Sequence, residues 1–150
     1  MRIFDGLDAL EAAVGEHLGH SEWRTITQEQ VNTFADATDD HQWIHVDPQR
    51  AAAGPFGAPI AHGYLTLSLL PALSSQVYRV DGLRMGVNYG LDRVRFPAAV
   101  PVGSRVRAGV ELVALSRDRQ GSRATMRVTI DLDGSARPAC VADAIALLVP

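Results

Sequence analysis

The sequence predicts one α+β domain over its 150 residues, with about five antiparallel strands around a long buried helix. Three observations predict it. The apolar period is three to four residues in the first half and two from Leu83 onward. Gly63 to Leu73 carries Leu on several faces, as a helix buried all round would. Ala124, Met126, Val128, Ile130 and Leu132 alternate strictly with Arg123, Thr125, Arg127, Thr129 and Asp131, one face on a core and one in water.

Leu7, Leu10, Ala13, Val14 and Leu18 repeat at helical spacing and predict a short amphipathic first helix. Thr27 and Gln30 resemble a capping box that opens a second helix, with Val31 and Phe34 on one face. That helix should end near Asp39, where Thr38, Asp39 and Asp40 compete with the backbone for hydrogen bonds. Gly54 to Pro59 reads as a loop, and Pro71 should bend the helix that starts at Gly63. Val106, Ala108, Val110 and Leu112 repeat the strand alternation. Cys140 to Val149 is apolar almost throughout, as suits a strand covered on both faces, and Asp133-Gly134 marks the turn before it.

The net charge of -3 argues against nucleic acid as the main partner, and the fourteen basic residues are all Arg. One cysteine excludes an internal disulfide and a cysteine-based metal site, and Cys140 reads as a buried structural thiol. No leader segment and no apolar run of about 20 residues is visible, so a cytoplasmic protein without membrane contact is expected.

Of the five histidines, His17 and His20 fall on or just past the first helix and should be solvated. His41 has no evident role. His62, just before the buried helix, suits a structural hydrogen bond first and a ligand contact second. Asp39 to Pro48 differs, because it sets acid, amide and imidazole within six residues, off any periodic element. On spacing alone this leaves two readings open, catalysis or a helix cap with a packed imidazole. No metal is expected, because Asp and His come without a third evident ligand.

Asp40-His41-Gln42-Trp43-Ile44-His45, followed by Asp47-Pro48, resembles the signature of the MaoC-like, (R)-specific enoyl-CoA hydratases. Ile60-Ala61-His62-Gly63, Asn88 to Pro97 and Val100 to Gly103 resemble further landmarks of that family, in order, across about residues 20 to 150. Two departures stand out: Gln42 and Trp43 replace the usual Asn and Pro, and Pro71 stands where some members hold a Ser.

The resemblance implies a single hotdog domain, with Asp40 and His45 as an acid–base pair and the Gly63 N–H as oxyanion donor. Gln42, His62, Tyr64 and Asn88 become the expected substrate contacts. It implies an acyl-CoA substrate (acyl carrier protein being the alternative carrier), a homodimer with the acyl pocket at its seam, and no cofactor or metal. The strand pair Arg93 and Arg95 could meet carrier phosphates, against a solvated-face reading. A hotdog thioesterase is the first rival, but Gly63 to Val80 has no Asp or Glu to serve it. A noncatalytic acyl-binding hotdog subunit is the second, and the intact Asp–His pair speaks against it.

Overall fold

A computed structural model describes residues 1–118 and 121–150. Strands β1 (Arg2–Phe4) and β4 (Tyr78–Val80) form a small parallel pair. The main sheet holds β2 (His17–His20), β3 (Arg24–Thr25), β5 (Met85–Arg95), β6 (Arg105–Asp118), β7 (Gly121–Leu132) and β8 (Cys140–Val149). Its order is β2-β6-β7-β8-β5, with β3 also on β6, and every pairing is antiparallel. Helices α1 (Gly6–Glu11), α2 (Gln28–Thr38), α3 (Trp43–Val46), α4 (Pro48–Ala52), α5 (Gly63–Ser68) and α6 (Leu70–Ser74) complete the chain.

The core forms where α5 and α6 lie on the inner sheet face. Leu65, Leu69, Leu70 and Leu73 meet Val106, Val110, Leu112, Met126, Val128 and Ile130, all buried. The predicted alternation on β6 and β7 is borne out along both strands. On α2 the Thr27 hydroxyl accepts from the Gln30 N–H at 3.2 Å, and the helix ends at Asp39 in the left-handed region (φ 58°). Asp tolerates that angle better than most side chains.

Three expectations need correction. The first helix stops at Glu11, and Leu18 sits on a strand with His17 and His20, both exposed as expected. Gly15, at φ 90°, turns the chain there, and its N–H docks on the Leu112 carbonyl at 2.7 Å. The helix from about Gly63 to Tyr78 that the hotdog resemblance implies is two segments rather than one bent rod, and Tyr78 has already passed into β4. Pro71 lies in the first turn of α6, where a missing N–H costs least.

The third correction concerns β8. Cys140, Ala142 and Leu148 face the core, whereas Val141, Ile145 and Leu147 on the outer face are only half-buried. Arg127 lies across that outer face to Asp143 at 2.9 Å, and among the described residues no second apolar layer covers it. β5 forms the other end of the sheet, with Met85, Val87, Tyr89 and Leu91 exposed. Among the described residues, no helix is long and apolar enough to cross a membrane.

Candidate active site

The left-handed turn at Asp39 throws the chain off α2, so that Asp40 to Gln42 lead straight into α3. His45 therefore stands on a short helix, not off periodic structure as the spacing suggested. Its Nδ1 lies 2.6 Å from the Ile60 carbonyl oxygen. A carbonyl only accepts, so Nδ1 carries the hydrogen and Nε2 keeps its lone pair. Gln28 Nε2 donates to the His45 carbonyl at 2.8 Å, and the Ile60 N–H donates to Ile44 O at 3.0 Å. The imidazole is held through Nδ1 while Gln28 anchors the His45 backbone, and the residue is 6% exposed.

Asp40 is exposed, and its carboxylate takes only a long 3.5 Å contact from the Gln42 N–H. Beneath both residues lies His62, which is 2% exposed. Donor atoms of Asp40, His45 and His62 lie within 4.8 Å of one another. So there is a third donor atom nearby, which the reading of residues 39–48 alone missed.

The cluster nonetheless suits a hydrogen-bonded water better than a metal ion. Ligands of one tetrahedral zinc sit about 2 Å from it, and so only about 3.3 Å apart. The His45 and His62 rings are stacked, with centroids 3.9 Å apart and planes at 23°, so their in-plane lone pairs do not converge. One nitrogen of each ring is already committed to a carbonyl.

Burial is the main influence on His45 and lowers its pKa below the ordinary value. The Ile60 carbonyl pulls it up, a charge on His62 would push it further down, and Asp40 pulls it up. The net effect favours the neutral imidazole. Burial also pushes the Cys140 thiol up to about 11, consistent with the inert structural role expected of it.

Gly63 opens α5 directly after His62, and as the first helical residue its N–H has no partner inside the helix. A Cβ added there would stand 3.2 Å from the Phe96 ring, so Phe96 and not open space covers this glycine. Tyr64 is 70% exposed, with its ring edge-on to Phe96 at 6.3 Å. Gln42 is exposed at the start of α3, and its side chain makes no capping bond. Asn88 is not beside the pair. It lines a cleft of about 420 Å³ with Leu67, Ser68, Leu70, Pro71 and Tyr89. A cleft of about 540 Å³ runs by Arg24, Thr33, Phe34 and Leu65; neither cleft is lined by Asp40 or His45. Arg93 is exposed at a bulge (φ 54°), 3.8 Å from Asp143, and Arg95 is exposed beside it.

Trp43, in the place where the resemblance expects Pro, is accommodated by two neighbours. The Arg50 guanidinium lies 4.4 Å from the centre of its ring system, and a Cβ on Gly54 would come within 2.9 Å of its ring. The bulk of the indole uses the space that glycine leaves.

The profile of the MaoC-like domain matches residues 9–134. Over 146 residues the chain is 60% identical to 3-hydroxyacyl-thioester dehydratase Z of Mycobacterium tuberculosis, covering 97% of each protein. It is 48% identical to nodulation protein N of Rhizobium leguminosarum over 90% of this chain and 86% of that one. The solved (R)-hydratase from A. caviae, involved in PHA biosynthesis, superposes with a TM-score of 0.74 and 30% identity, over 91% of this chain and 96% of that one. Its fold and the order of its landmarks agree with those matches, and the chain belongs to the MaoC-like dehydratase family.

Proposed function

We propose that the chain adds water to trans-2-enoyl-CoA to give (R)-3-hydroxyacyl-CoA, or runs the reverse dehydration, with Asp40 and His45 as the acid–base pair. One observation carries the reading. The Nδ1–H bond of His45 to Ile60 leaves the Nε2 lone pair free on an imidazole that lies within 4.8 Å of an exposed carboxylate. The names borne by the Mycobacterium relative and the A. caviae structure, a 3-hydroxyacyl-thioester dehydratase and an (R)-hydratase, support the reaction class.

Water is a poor nucleophile at neutral pH, and C3 of the enoyl thioester is a weak electrophile. His45 Nε2 takes a proton as the water oxygen bonds to C3, and the π electrons move onto the thioester oxygen. The Gly63 N–H donates to the resulting enolate oxygen. Asp40 orients the water, and the proton that His45 took is relayed through Asp40 to C2, which returns His45 to its neutral form and Asp40 to its carboxylate. General acid and base steps typically contribute about 10²–10⁴-fold each. No cofactor takes part in this reaction.

Tyr64 and Asn88 are proposed to contact the acyl-carrier arm and the acyl chain, and Gln42 the water. The apolar edge strand β5 suits a second copy of the chain, which would extend the sheet and close the cleft at Asn88 and Tyr89.

Loss of enoyl absorbance with crotonyl-, octenoyl- and dodecenoyl-CoA, followed by chiral analysis of the product, tests the reading. An (R) product is expected, and an (S) product or no turnover refutes it. The pH profile follows from His45. Because burial lowers its pKa, kcat/KM should hold as pH falls past 6.5 and drop only below it. An acid limb above 6.5 would assign the base to another group.

A further inference from the structure

The chemistry above leaves one buried side chain without a task. His62 Nε2 lies 2.9 Å from the backbone oxygen of Asp40, twenty-two residues away in sequence. The carbonyl accepts, so Nε2 carries the hydrogen. That leaves Nδ1 as the lone-pair atom, and it is buried with no hydrogen-bond partner among the described residues. One face of the ring lies on His45, and Phe34 packs against it at 4.9 Å, tilted by 54°. Leu or Phe would fill this space without an orphaned nitrogen, so packing alone does not account for an imidazole. What the imidazole adds is a donor toward the main chain of the acid and a flat face toward the base.

We propose that His62 is a positioning residue that ties the Asp40 main chain to the stacked His45 ring and so sets the separation of the two reacting groups. The inference rests on Asp40 and His45 being the acid–base pair. The tie matters because the pair must bracket one water within hydrogen-bonding distance, while Asp40 itself sits on an exposed turn. A ligand contact, the second use expected of His62, gives way to support from beneath.

The test compares His62→Gln, His62→Asn and His62→Phe. The Gln amide nitrogen can reach the place of Nε2, the shorter Asn amide ends near Nδ1, and Phe keeps the stack without a donor. The Asn and Phe variants should lose about tenfold in kcat with KM within about twofold, and Gln should recover most of that loss. Asp40, from the turn after α2, and His62, from the entrance to α5, are the titratable groups that act on His45. In the Phe variant only Asp40 remains, so the acid limb of kcat/KM should move to higher pH.

Gln and Asn are amides of like polarity, so their comparison holds even if Phe impairs folding. A Gln variant as poor as Asn, or a lowered kcat with an unmoved acid limb in a folded Phe variant, overturns the positioning role. Full activity in all three does the same while leaving the acid–base pair intact. Retained activity in Asp40→Asn or His45→Asn, measured in the same assay, overturns the pair itself.

Discussion

Asp40→Asn and His45→Asn should each lower enoyl-CoA hydration by about two to four orders of magnitude, the range for a lost general acid or base. Both substitutions are chosen to spare the fold. Asparagine in place of Asp40 keeps the shape of an exposed side chain that makes one long contact. Asparagine in place of His45 can still donate to Ile60 from near the Nδ1 position, so the bond that pins the site survives while Nε2 disappears. Because the two groups act on the same water, the double variant should be little worse than either single one. Stopped-flow turnover beside melting temperature checks this. Near-wild-type rates in either single variant would remove the mechanism, and losses that multiply would mean that the groups act in separate steps.

Replacing Gly63 by Pro should cost about 10²–10³-fold in kcat, the usual loss for one oxyanion donor. Proline deletes the N–H and nothing else that the helix needs. It favours the first helical position, and His62, at φ -59° and ψ 137°, already has the conformation preferred before proline. The obstacle is Phe96, which a Cβ at residue 63 would crowd. The comparison is therefore made in a Phe96→Ala background, between Gly63→Ala and Gly63→Pro. Both side chains then fit, but only Ala retains the donor. Equal turnover in the two would reduce Gly63 to a helix start, whereas a loss confined to Pro, at matched melting temperatures, identifies the N–H.

How much of this was legible in advance depended on the range over which each feature is encoded. The faces of β6 and β7 could be read directly, because a two-residue period leaves a side chain no choice once one face is buried. The cap at Thr27 and the turn at Asp39 are equally local. The first helix was overread because Leu18 kept the helical spacing past Gly15, and the spacing carries no mark of a backbone that has turned onto the Leu112 carbonyl. Asp40 and His45 stood out by motif. His62 was singled out too, yet its bond to the Asp40 carbonyl joins two segments twenty-two residues apart and leaves no trace in either. Phe96 over Gly63 and Gln28 on the His45 carbonyl were missed for the same reason.

The fit of Trp43 against Gly54 restricts how this sequence can drift. While the indole is present, even a methyl group at position 54 would stand 2.9 Å from the ring, so Gly54→Ala would force the indole to shift. Placing Pro at position 43 would relieve that crowding, but it would also strip Arg50 of the ring it covers. An alanine at position 54 is therefore easier to accept once the tryptophan at position 43 has gone. Homologues of this chain should hold Trp43 only in company with Gly54, whereas those with a small residue at position 43 are free to vary at position 54.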